Sequence, residues 1–137
     1  MRSRFFSLVG ACVLVAAFVT PAFSVEPTKD SLDVVKENLA QKKAILVDVR
    51  EEDEWKAGHL SQATAVPLSM LKQGAGAKEF ATVLAQQVPK DRIVYVHCKS
   101  GKRALESADI LKKFGYDVRS LKPGYEDLLQ AGFPKAK

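Results

Sequence analysis

The sequence predicts one small α/β domain, a mostly parallel central sheet with helices on both faces. Three observations carry this expectation. Strand-like and helix-like apolar patterns alternate over about 110 residues, as in domains built from successive βα units. Ile93-Val94-Tyr95-Val96 is continuous and rich in β-branched residues, as expected of a strand covered on both faces. The chain has 137 residues, 47% hydrophobic and 27% charged. That size and composition exclude a disordered or collagen-like chain and suit one domain whose core needs no disulfide or metal staple.

The elements follow in order. Ser31 is placed to cap a helix whose Leu32, Val35 and Leu39 keep helical spacing. Ala44-Ile45-Leu46-Val47 reads as a buried strand ending at Asp48-Val49-Arg50. The acidic residues 51–54 open a short helix, favoured by negative charge at its start, and Gly58 stops it. Thr64-Ala65-Val66 is a short strand closed by Pro67, and Gly74-Ala75-Gly76 reads as a flexible connection. Phe80, Val83, Leu84 and Val88 space out a helix ending before Pro89. After the 93–96 strand, Ala104, Ala108, Leu111 and Phe114 make a helix face that Gly115 ends. A last strand covers residues 117–121 and a last helix residues 125–131, before Gly132 and Pro134.

Residues 1–24 read as a signal peptide preceding a domain over 25–137. Arg2 and Arg4 precede an apolar run from position 5 to 19, and Ala22-Phe23-Ser24 sets small residues for cleavage after Ser24. A membrane anchor would need roughly 20 apolar residues. A lipoprotein reading at Cys12 would strand the apolar run 13–19 in the mature chain. The mature protein is therefore expected in the periplasm, with no stable membrane anchor after cleavage. Removing two basic and no acidic residues lowers the net charge from +5 to +3. That balance, with no basic stripe interleaved with aromatics, gives no support for nucleic acid as a partner.

One cysteine then remains, Cys98, and a lone cysteine in an oxidising compartment is a liability or a reagent. It follows the strongest strand and opens Cys98-Lys99-Ser100-Gly101-Lys102-Arg103 directly before a helix. A free cysteine is most often a small buried hydrophobe, but five polar or glycine residues follow this one. Its sulfur would face loop N–H groups and the positive end of the helix dipole, both of which stabilise a thiolate. Gly101 lets those N–H groups converge as an anion nest, and Lys99, Lys102 and Arg103 add charge that attracts an anion. His97 is not expected to activate Cys98, because adjacent strand residues point to opposite faces. His97, Cys98 and the distant His59 offer too few ligands for a metal, and no cofactor is expected. Arg50 and Cys98 each lie just past a strand end, so both belong at the carboxyl rim where ligands of such sheets bind.

At these residues the chain resembles the single-domain rhodanese, or thiosulfate sulfurtransferase-like, family. The matching motifs are Leu46-Val47-Asp48-Val49-Arg50, Glu54-Trp55-Lys56-Ala57-Gly58-His59-Leu60, Ala65-Val66-Pro67-Leu68 and residues 94–103. Gly124-Tyr125 and Ala131-Gly132-Phe133-Pro134 complete a match over nearly all of the mature chain, in the right order. The resemblance implies a rhodanese-like fold and a sulfurtransferase in which Cys98 takes the outer sulfur of thiosulfate, expels sulfite and holds a persulfide. That sulfur then passes to a thiophilic acceptor such as cyanide. It further implies that the N–H groups of residues 99–103 stabilise the persulfide, and that Lys102 and Arg103 bind the sulfonate end. Asp48 and Arg50 are implied to brace the site, Arg50 by bracing rather than by touching substrate. His59 is expected to tie down its turn, and Trp55 to lie in the core. The departures are Pro123-Gly124 in place of a glycine pair and Leu128 in place of a late tryptophan.

Two alternatives compete with this reading. A cysteine-dependent phosphatase or arsenate reductase would share the cysteine and the anion loop. The tyrosine-phosphatase signature, however, needs arginine at position 104, where alanine stands. Phosphatase relatives of the fold also carry a loop one residue longer. A persulfide carrier or partner-binding module is the other alternative. The small anionic sulfur donor is the expected partner, and the sequence does not name the acceptor.

Overall fold

The computed structural model describes residues 25–137; the expected signal peptide at 1–24 lies outside the described residues. Helices and strands alternate as α1 (Leu32–Ala40), β1 (Ala44–Asp48), α2 (Glu52–Ala57), β2 (Ala63–Ala65), α3 (Leu68–Gly74), α4 (Phe80–Gln87), β3 (Ile93–His97), α5 (Lys102–Lys113), β4 (Asp117–Ser120) and α6 (Tyr125–Gln130). Among the described residues the sheet has four strands in the order β2-β1-β3-β4. Every pairing is parallel. The two strands with the longest apolar runs, β1 and β3, are therefore central, where a strand is buried on both faces.

Local chemistry sets the element ends. The Ser31 hydroxyl accepts the Val34 N–H at 3.3 Å and caps α1. At the start of α2 the Glu51 N–H donates to the Glu54 carboxylate at 2.9 Å. Gly58 N–H closes the same helix on the Trp55 carbonyl at 3.1 Å. Ends of β2, β3, β4 and α6 fall one residue from the expected positions.

Two expectations need correction. Residues 68–74 form a helix, and Gly74 is its buried last residue rather than part of a flexible connection. Leu68 and Leu71, one turn apart behind Pro67, bury the inner face of α3. Gly74 is required there because a Cβ would stand 2.3 Å from the Phe80 ring. Trp55, expected in the core, is instead half-buried at the surface and stacks on the His59 ring at 3.7 Å. The His59 Nδ1 lies 3.0 Å from the Trp55 carbonyl, so this pair holds the turn at the end of α2.

Strand alternation divides the interior into two cores. On one face Leu46 and Tyr95 pack with Val35 of α1 and with Tyr125 and Leu128 of α6. On the other face Val47, Val94, Val96 and Cys98 pack with Leu71, Leu84, Ala104 and Leu111 from α3, α4 and α5. The segment before α1 is fastened to the β4 edge. Thr28 N–H donates to the Ser120 carbonyl at 2.7 Å, and Asp30 accepts from the Tyr95 hydroxyl at 2.6 Å and from Arg119 at 2.8 Å.

Candidate active site

Register sorts the side chains at the carboxyl rim. Asp48 and His97 are partners across β1 and β3, so both point to the α1/α6 face. Cys98, one residue on, points to the other face and is fully buried in the core beside α5. The expected separation of His97 from Cys98 thus holds. His97 Nε2 lies 3.7 Å from the Asp48 carboxylate, beyond hydrogen-bond distance. Burial outweighs that carboxylate and holds the imidazole below its usual range, so it stays neutral at pH 7.

The loop from Cys98 to Gly101 folds back over the sulfur. Gly101 takes φ of +93°, a conformation open to glycine but strained for other residues, and its N–H donates to Cys98 Sγ at 3.0 Å. A Cβ on Gly101 would also stand 3.0 Å from the Lys122 carbonyl. Lys102 and Arg103 follow in the first turn of α5, whose N–H groups have no acceptor within the helix. The sulfur therefore meets a backbone donor at a helix N-terminus, and among the described residues no side-chain base is hydrogen-bonded to it. Such a cradle suits a thiolate whose leaving group needs no proton.

The cations of the loop are not equivalent. Lys99, Ser100 and Lys102 are exposed. Arg103 is half-buried, and its guanidinium holds both oxygens of Glu54, at 2.6 and 2.8 Å. This fork-to-fork bond is the main cause that lowers the Glu54 carboxyl to about 2, and Glu54 in turn raises Arg103. Arg103, expected at the sulfonate end of a donor, is thus engaged by a carboxylate from α2.

Asp48 and Arg50 form a buried brace. Arg50 Nη2 bonds Asp48 at 2.7 Å and the Gly58 carbonyl at 2.8 Å, while its backbone N–H bonds Asp48 Oδ1 at 3.0 Å. The guanidinium carbon lies 4.1 Å from the centre of the Tyr125 ring. Arg50 thereby ties the end of β1 to the end of α2 and to α6. Beside it opens a cleft of about 320 Å³, lined by Arg50, Glu54, Ala57, Gly58, Lys99, Tyr125, Glu126, Leu129 and Lys135.

Glu54 and Gly124 are site residues that sequence reasoning missed. In the sequence Glu54 stands as one of several acids at a helix start and as the first residue of a matching motif, with nothing local to mark Arg103 as its partner. Gly124 lets the chain before α6 pass directly under the loop, and Tyr125 N–H donates to the Cys98 carbonyl at 2.9 Å.

Comparison with known proteins matches this geometry to a family. A model of the rhodanese-like domain family matches residues 31–131. The uncharacterized protein YqhL of Bacillus subtilis is 34% identical over 86 residues, 62% of this chain and 60% of that one. The human thiosulfate:glutathione sulfurtransferase is 29% identical over 105 residues, covering 73% of this chain and 91% of its own length. The chain spans about three fifths of the length of two curated relatives that it matches at 33% and 34% identity. Among solved structures, the human single-domain sulfurtransferase TSTD1 is similar with a TM-score of 0.63 at 28% identity, covering 77% of this chain and 96% of that one.

Proposed function

The chain belongs to the rhodanese-like domain family, and from that premise we propose that it moves the outer sulfur of thiosulfate through Cys98 to a thiophilic acceptor. The Cys98 thiolate attacks the outer sulfur of thiosulfate, and the S–S bond of the donor breaks with its electron pair leaving on sulfite. Cys98 is left as a persulfide anion. An acceptor such as cyanide then attacks the terminal sulfur, departs as thiocyanate and returns the thiolate. No proton moves in either half. This agrees with a site in which the neutral His97 ring lies on the far face of the sheet from the sulfur.

The observation that carries the reading is the Gly101 N–H aimed at Cys98 Sγ from 3.0 Å at the head of α5. It supplies a fixed donor to the sulfur that carries the negative charge of the attacking thiolate and takes it back when the acceptor departs. The first-turn N–H groups of Lys102 and Arg103, which have no acceptor within the helix, are then left for the outer sulfur of the persulfide, and exposed Lys99 and Lys102 draw the anionic donor in. Phosphoryl transfer is disfavoured by Ala104. The position where that chemistry needs an arginine is fully buried among core side chains. Export to the periplasm remains part of the proposal, resting on residues 1–24.

The test is thiocyanate formation from thiosulfate and cyanide by the reduced protein and its Cys98→Ser variant. Turnover in the wild type that disappears in the variant is the expected result. Its absence in folded, reduced protein overturns thiosulfate as donor. A persulfide on Cys98 without turnover would instead identify a carrier.

A further inference from the structure

The cleft beside Arg50 holds about 320 Å³, the size of a site for a small organic molecule, on the order of 300–1,000 Å³. Thiosulfate and cyanide, with their few atoms, fill only a part of it. Two polar groups on this cleft lack partners although their residues are buried. The Tyr125 hydroxyl, on a residue 7% exposed, finds no hydrogen-bond partner among the described residues. Arg50, 5% exposed, commits Nε and Nη2 to Asp48 and Gly58, and among the described residues its Nη1 bonds nothing. A buried donor left unpaired costs stability, so such groups mark places where an acceptor is to arrive. Gly58 brings the hydroxyl to an ammonium. A Cβ at Gly58 would stand 2.8 Å from the Tyr125 hydroxyl oxygen, and 3.2 and 3.5 Å from Lys135 Cε and Nζ. Hydroxyl and ammonium therefore flank one point in the cleft wall. Lys135 is exposed and has no ionic partner among the described residues.

We propose that this cleft binds a small organic carboxylate, its oxygens held by the Tyr125 hydroxyl, Arg50 Nη1 and the Lys135 ammonium. All three are donors and two are cationic, the complement of a carboxylate. Of the carboxylates already in the cleft, Glu54 is held by Arg103, and Glu126 is outnumbered by Lys99 and Lys135. Ala57, Leu129 and the Tyr125 ring give an apolar wall for a carbon skeleton. Admitting an oxygen to the hydroxyl asks the Lys135 side chain to turn, and no ion pair is broken when it does. Lys99, directly after Cys98, forms another wall. The proposal rests on the sulfur-transfer reading in one respect: the bound molecule is the sulfur acceptor, a thiol that carries the carboxylate. Its thiolate attacks the terminal sulfur of the Cys98 persulfide. The new S–S bond belongs to the acceptor, and the old one breaks with its electron pair left on Cys98.

Binding is tested first without any thiol, by titrating butyrate into the isotope-labelled full chain and following its amide resonances. Saturable shifts at Gly58, Lys99 and Tyr125 are expected, and butyramide, the neutral counterpart, should not produce them. Tyr125→Phe keeps the ring beside Arg50 and removes only the hydroxyl. It should weaken butyrate binding about tenfold, the worth of a hydrogen bond to a charged group. The urea midpoint should not fall, since that hydroxyl has no partner among the described residues to lose. Lys135→Gln should weaken binding about threefold and gives a second route if the first variant does not fold. Lys42→Gln, before β1 at the opposite end of the sheet, removes an equal charge and should leave binding unchanged. Acceptor function is read as sulfite release from thiosulfate with mercaptopropionate or the neutral mercaptopropanol. The preference in kcat/KM for the carboxylate should fall about tenfold in Tyr125→Phe, through KM rather than kcat. No saturable butyrate shifts, equal shifts with butyramide, or an equal loss in Lys42→Gln would overturn the site. Butyrate binding with an unchanged acceptor preference in Tyr125→Phe would overturn its role as the acceptor site. Butyrate binding in a protein that releases no sulfite would refute thiosulfate as donor and uphold the carboxylate site.

Discussion

A Cβ built on Gly124 would stand 1.7 Å from the carbonyl oxygen of Lys99. No side chain fits there without moving backbone, and the backbone in question carries the active loop. Gly124→Ala should push the Lys99 carbonyl outward, strain the Tyr125 N–H bond to Cys98, and turn the Gly101 N–H away from Sγ. Overpacking of this kind costs about 1–3 kcal/mol of stability. Misplacing a reacting group by an ångström costs about a hundredfold in rate. Thiocyanate formation should therefore fall far more than the urea midpoint; a folded variant with near-native turnover would show that the loop does not depend on this contact.

The Asp48–Arg50 pair makes a different prediction, because its side chains are 0% and 6% exposed. Asp48→Asn leaves the Arg50 guanidinium buried without its counter-charge, which should cost about 3–5 kcal/mol in urea denaturation. The double variant Asp48→Leu with Arg50→Met removes both charges and should recover most of that loss. It should not recover activity, since the Gly58 carbonyl and the Tyr125 ring lose the group that holds them to β1. Recovery of both would mean that the pair serves stability alone.

What could be read from the sequence, and what could not, follows from how far each signal reaches along the chain. Strand alternation is local, so the opposite aims of His97 and Cys98 were legible, as was the position of Cys98 between β3 and the head of α5. The same short range made α3 invisible: Leu68 and Leu71 give one apolar pair, and the adjacent Gly74-Ala75-Gly76 looks like a loop until Phe80 is seen lying against Gly74. Trp55 failed for a related reason, since a large aromatic ring is an expected core residue unless its stacking partner, His59, is known. Pairings across the fold carry no local mark. Glu54 and Arg103 stand 49 positions apart, and only their helices' shared rim makes them partners.

His97 gives the last prediction, one of pH dependence. Its ring is buried at the rim with Asp48 and Arg50 as the charged groups facing it, and burial holds it below the usual histidine value of 6.5. The unfolded chain therefore binds a proton at a higher pH than the folded one does. Stability rises with pH wherever the unfolded state holds more protons. The contribution is thus complete above pH 6.5 and is lost as pH falls below that value toward the depressed value of the folded state. Replacing the ring by an apolar side chain of similar size, His97→Leu, should remove this part of the acid limb. Urea midpoints measured from pH 8 down to pH 5 should fall less steeply for the variant than for the wild type, whatever their difference at pH 8. Parallel curves would mean that the imidazole takes up its proton inside the fold, drawing on Asp48 as a partner, and that burial does not keep it neutral.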